Sequence, residues 1–260
     1  MPEADMKWVA NAILDSSGKL DKERLQLWLH PPPIRRSSGK PMPEKYFLHK
    51  VLVWMPRNIL RIPLACSREG CGGHLRSKGI YNRVRSVMDL DSIYFMVTEY
   101  MECSNVDKKG LARCNFTTQG WHENVLCQLS EAHRLMFPAV ATAHGTLDRK
   151  VLTMLKIRTL GNSSNALHHS LMELHTETWM RQCIHYLTDC LQHKNGISGH
   201  LEGSPEYAAV PPPTKLKGAR WLVDCHSKDL SKRVDEVKAQ ITSVFGRILK
   251  LDSTKKVNVT

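Results

Sequence analysis

Between Trp54 and Asn115 the chain places Cys66, Cys71, His74, Cys103 and Cys114, and no other feature constrains the fold as much. Cys66 and Cys71 flank a charged, glycine-containing turn, and Gly72, Gly73 and His74 follow at once. Two runs with strand character come next, and the second, SIYFMVTEYMEC, delivers Cys103 at its end. Gly70, Gly72 and Gly73 allow the backbone to fold tightly around an ion. A tetrahedral ion takes four soft or borderline donors, and two short turns supply them without a large core. The pattern therefore predicts a small β-rich module with the layout of a zinc ribbon, holding Zn²⁺ on Cys66, Cys71 and Cys103. The fourth ligand is Cys114, eleven residues beyond Cys103, or His74, three beyond Cys71. A regular second knuckle would put a cysteine near position 106, where this chain has Val106.

The hairpin between the knuckles is basic. In GIYNRVRSVMDL, Ile80, Val84 and Val87 are expected to face inward and Arg83 and Arg85 outward. In SIYFMVTEYMEC, Ile93, Phe95 and Val97 fall on one face and Tyr94, Met96 and Thr98 on the other. Arg76, Lys78, Arg83 and Arg85 crowd this hairpin with Tyr81 among them. Such a set can meet phosphates and stack on a base, although a solvated strand face carries the same charges. A net charge of +12 and a pI near 9.4 favour a polyanionic partner. The expected partner is nucleic acid, specifically DNA. No run approaches a membrane span, and the N-terminus MPEADMKW lacks the apolar core of a signal peptide. The eight cysteines then read as reduced thiols or metal ligands. The expected compartment is intracellular and, with DNA as partner, the nucleus.

Outside the ribbon, residues 1–45 read as a short helix drawn from VANAILD and DKERLQLWLH, with Asp21 as its cap, and a partly disordered Pro-rich linker. Pro31, Pro32 and Pro33 stop the helix because proline lacks an amide donor. The module itself is assigned to 46–122, beginning with a strand in YFLHKVLVW. Residues 123–195 read as helical, ending in a long helix from an Asn/Ser cap to Gly196. Along it Leu167, Leu171, Leu174, Met180, Ile184, Leu187 and Leu191 form an apolar stripe expected to be core. His168, His169, His175, His185 and His193, with Cys183 and Cys190, lack metal-ligand spacing and read as ordinary surface or core residues. Residues 196–219 are a disordered Gly/Pro-rich linker. In 220–260 a helix, with Val234, Val237, Ile241 and Val244 at helical spacing, precedes a short strand ending at Asp252. The fold class is thus α+β: a small β-rich module with a helical region, a linker and a helix-strand tail.

WMPRNILRIPLACSREGCGGHLRSKGIYNRVRSVMDLDSIYFMVTEYMECS resembles the zinc-ribbon-like domain of unknown function found in transposon-derived proteins of animal genomes. The likeness continues through AHRLMFPAV, KVLTMLKIRTLGNSSNAL, HTETWMRQCIHYL and VDEVKAQITSVFGRILKLDSTKKV, about residues 45–190 and 220–257. In that family the domain precedes an RNase H-like core of the transposase type. The resemblance implies that Asp252 takes the place of that core's first metal-binding aspartate. One carboxylate cannot hold the two Mg²⁺ ions such a core needs, so no catalysis is expected. The chain departs from the family at 104–127, where SNVDKKGLARCNFTTQGWHENVLC replaces a C-x-x-C knuckle and a basic stretch.

Overall fold

The computed structural model describes residues 1–34, 39–105, 113–157, 163–201, 203, 205–232 and 234. Asp252 and the strand expected around it lie outside these residues, as does most of the expected tail helix.

The chain opens with helix α1 (Glu3–Ile13), whose acidic first turn follows Pro2. Asp5, Val9 and Ile13, at four-residue spacing, bury one face. The helix takes in most of VANAILD but none of DKERLQLWLH. Asp21 accepts from the Glu23 amide at 3.1 Å and holds a turn, not a helix start. Strands β1 (Trp28–Leu29), β2 (Val51–Trp54), β3 (Leu75–Ile80), β4 (Arg85–Met88), β5 (Ile93–Cys103) and β6 (Thr117–Gln119) follow. Two short helices, α2 (Glu123–Leu126) and α3 (Glu131–Leu135), lead to β7 (Ala139–Ala141) and β8 (Thr146–Asp148). Helices α4 (Arg149–Lys156), α5 (Ser164–Asn195), α6 (Ile197–Leu201) and α7 (Ala219–Lys232) complete the described chain. The stretch 123–195 is therefore not wholly helical; β7 and β8 interrupt it.

The order β1-β2-β5-β4-β8-β7 makes a mixed sheet, parallel at β2–β5 and at β4–β8. The α+β class is as expected. β5 is its axis. Its first residues pair with β2 and β4, and its last, Glu99–Cys103, pair with β3 and β6. One strand thus leaves the central sheet and becomes the middle of a three-stranded antiparallel arm. GIYNRVRSVMDL accordingly splits into two strands on different halves of β5. The break follows a bulge at Ser77/Gly79, where Gly79 adopts φ +111°.

Alternation along β5 sorts its side chains as predicted. Phe95 and Val97 pack with Val9, Ile13, Val51 and Val53 under α1. Tyr94 and Met96 face a second cluster with Trp54, Leu64, Leu75, Met101, Val125, Leu126 and Phe137. A third cluster joins Met88, Val140 and Leu147 to α4, α5 and α7. On α5 only Leu167 and Leu171 of the expected stripe are buried. Leu174, Met180, Ile184, Leu187 and Leu191 are exposed, because farther along the helix buries Cys183, Tyr186 and Cys190 instead. Tyr186 and Cys190 pack against Tyr46, Phe47, Tyr207 and Val210. No helix among the described residues is long and apolar enough to cross a membrane.

Candidate metal centre and basic face

The arm's free end is closed by four thiols. Cys66 and Cys71 come from the loop before β3, Cys103 ends β5, and Cys114 precedes β6. Their sulfurs all lie within 4.8 Å of one another. Cys66 and Cys114 are 3.8 Å apart, and Cys71 and Cys103 are 3.5 Å apart. A disulfide would need about 2.05 Å. Four thiolates about 2.3 Å from a central ion would stand about 3.8 Å from each other. The four cysteines fit a tetrahedral metal centre in number, donor type and spacing.

Local sequence explains how each sulfur arrives. The Cys66 amide donates to the Gly73 carbonyl at 2.7 Å, and the Cys71 amide to the Arg68 carbonyl at 3.1 Å, closing the first knuckle. Gly70 and Gly72 take φ of +70° and +60° within it, a region costly for other residues. Gly73 is needed for space, since a Cβ there would stand 2.7 Å from the Cys103 sulfur. On the second side, the Cys103 amide donates to the Phe116 carbonyl at 2.9 Å.

Asn105 ties the knuckles together, a role with no signal in the sequence beyond its place two residues after a cysteine. Its side-chain amide donates to the Cys71 carbonyl at 2.8 Å and to the Cys71 sulfur at 3.4 Å. Its backbone amide donates to the Cys103 sulfur at 3.4 Å. These donors favour thiolate, and the Asn105 contact, with a backbone amide at Gly73, lowers the Cys71 pKa. Burial pushes the Cys66 and Cys103 thiols up. His74 is exposed and outside the cluster. It contributes main chain instead, bridging to Ala65 and accepting from the Ser104 amide.

The basic residues are brought together in part. Arg76 and Lys78 are exposed on β3; Arg76 donates to the Ser104 carbonyl at 3.2 Å, and Lys78 pairs with Glu102 at 2.8 Å. Tyr81 stacks on Tyr100, with ring centroids 5.8 Å apart and planes 26° apart. Arg83 is exposed beside them. Arg85 is turned inward, against expectation. Its guanidinium lies 4.0 Å over the Trp121 ring and donates to the Thr142 carbonyl at 3.3 Å. Burial lowers its pKa. The cation–π contact and the carbonyl use it structurally.

A family model matches residues 1–231, that of a domain of unknown function, DUF6729. No curated protein and no solved structure matches the chain.

Proposed function

We propose, for a chain that belongs to the DUF6729 family, a nucleic-acid-binding module whose β-arm is a zinc ribbon. The observation carrying this reading is the four-thiol cluster at the tip of an arm with a basic, aromatic outer face. Four thiolates in tetrahedral array suit Zn²⁺, so Cys66, Cys71, Cys103 and Cys114 are the proposed ligands. The ion here fixes structure. Arg76, Lys78 and Arg83 then meet the phosphates of DNA, adding affinity that depends on released counterions. This reading implies a nuclear protein. The sequence resemblance supports descent from a transposase, and no catalytic role is assigned to the chain.

Metal analysis and DNA titration test this together. Purified protein should carry about one equivalent of zinc and lose arm structure on chelation. DNA affinity should fall steeply with salt and fall further in Arg83→Glu. Metal-free protein with an intact arm would sink the zinc assignment, as would iron in its place. A second reading is a protein-interaction scaffold with a purely structural metal. It is favoured by the exposed Met180, Ile184, Leu187 and Leu191 on α5. Absent or salt-insensitive DNA binding would select it.

A further inference from the structure

The arm's outer face holds an open pocket of about 620 Å³, walled by Lys78, Tyr81, Asn82, Arg83, Tyr100 and Gln119. Tyr100 lies on the middle strand with Gln119 directly opposite on β6. Tyr81, whose amide donates to the Thr98 carbonyl at 2.8 Å, is anchored by its backbone where the chain leaves β3. The two tyrosine rings form one stacked platform. Both are half-buried, and Asn82 and Arg83 beside them are exposed.

A cleft suited only to phosphates would be lined by cations. This one adds two aromatic rings, two amides and Ile80 to its two cations. Rings attract flat, polarizable groups and gain about as much from any base. Side-chain amides each offer a donor and an acceptor, matching the polar edge of a base without selecting one strongly. In a duplex both faces of a base are covered by its neighbours, and only its edges show in the grooves. A ring platform can use a base only when the base is unstacked.

We propose that this pocket takes one unpaired base of a single-stranded nucleic acid, stacked on the Tyr81–Tyr100 platform, with its flanking phosphates on Arg83 and Lys78. The proposal rests on the nucleic-acid function given above and narrows it to single strands. Asn82 and Gln119 face the base edge, so the site holds a base with little sequence preference. The Lys78–Glu102 ion pair is exposed on both sides and yields to a phosphate at small cost.

The test uses the full chain with its metal, a fluorescein-labelled oligothymidylate and a mixed-sequence duplex of equal length. The single strand should bind at least about tenfold tighter than the duplex, and Tyr100→Ala should remove about tenfold of that affinity. Tyr100→Phe, which keeps the ring, should bind as the native protein does. Duplex affinity should stay unchanged in Tyr100→Ala, with metal content and circular dichroism confirming its fold. Independently, a strand carrying 5-iodouracil should photocrosslink to Tyr100 or Tyr81, as mapped by mass spectrometry. Equal affinity for both forms, equal losses in Tyr100→Ala, or crosslinks confined elsewhere would overturn the inference alone. No nucleic-acid binding even at low salt would overturn the broader function with it.

Discussion

Replacing Gly73 by alanine separates a metal centre from a chance meeting of thiols. Gly73 is not in the left-handed region, so its backbone accepts alanine. The added Cβ, however, would stand 2.7 Å from the Cys103 sulfur and 2.9 Å from the Asn105 Cβ. Ordinary contact begins near 3.4 Å, so the sulfur must retreat by about 0.7 Å. Metal–sulfur distances tolerate only about 0.2 Å. Without metal, Cys103 can turn to another rotamer and leave only the Asn105 contact to be relieved. With metal, the sulfur is fixed and the strain stays. Crowding against the sulfur costs about 1–3 kcal/mol and falls on the bound state, while the Asn105 Cβ contact at 2.9 Å strains both states alike. Gly73→Ala should therefore weaken metal binding by about five- to 150-fold. Competition against a chromophoric chelator reads that loss, and thermal melts with and without metal show which state carries it. Gly72→Ala is the control. Its φ of +60° makes alanine cost about 1 kcal/mol, yet nothing lies within 4 Å of the new Cβ. Its cost should fall on folding with and without metal alike. Wild-type affinity in Gly73→Ala, or an equal loss in Gly72→Ala, would refute the reasoning.

Three further outcomes follow from buried charge. Burial raises the pKa of Glu99, which is fully enclosed and accepts from the Arg57 amide and from Asn58. The folded state thus binds a proton that the unfolded state has lost, and stability falls as pH rises above about 4.5. Glu99→Gln should raise the melting temperature at neutral pH, with the gain vanishing below about 4.5; a pH-independent gain would contradict this. Asp5 behaves oppositely: burial opposes its charge, but hydrogen bonds from His49 and Trp8 outweigh burial and lower its pKa. Its contribution is complete above about 3.8 and is lost as pH falls through the lower folded value. Asp5→Asn should therefore destabilise at neutral pH and converge with the native protein in strong acid, as followed by melts across pH. Finally, Arg85→Ala should cost about 1 kcal/mol of stability through its Trp121 contact. Arg83→Ala should leave the melt unchanged and weaken DNA binding; the reverse pattern would reject the division of roles.

What the sequence discloses depends on how local the cause is. The alternation of SIYFMVTEYMEC places Phe95 and Val97 opposite Tyr94 and Met96 because pleating alone dictates it. The first knuckle is legible for the same reason, since Cys66, Cys71 and the glycines lie within a few residues. Cys114 was readable only as one of two candidates, because its place depends on how β6 returns beside β5. β7 and β8, of three residues each, are too short to show a period, and their pairing partners lie far along the chain. Arg85 alternates as an outward residue, yet Trp121, thirty-six positions later, draws it in. On α5 both faces carry apolar residues, so spacing could not choose between Ile184 and Tyr186 for burial. Contacts with Tyr46 and Tyr207 made that choice. Tyr100 and Gln119 are neighbours only through the β5–β6 register, which no local pattern discloses.

The same register puts the four-thiol cluster and the proposed binding face on one arm. Among the described residues, β3 and β6 pair only with β5, and β6 has three residues. The arm buries one face, with Leu75, Met101 and Thr118, while Arg76, Lys78 and Thr117 on the other face are exposed. A short three-stranded sheet with one wet face gains little from burial. At its root, the arm is held by β5 continuing into the central sheet and by the Trp54 indole donating to the Gly120 carbonyl at 2.9 Å. At its tip, among the described residues, the four thiols and Asn105 occupy that place. An ion there would join the loop entering β3, the end of β5 and the loop entering β6 at a single point. Fixed at both ends in this way, the strands between would keep Tyr100 and Gln119 side by side with Lys78 near them. A metal there would not need to touch a ligand to govern its binding; it would set the register of the proposed binding surface.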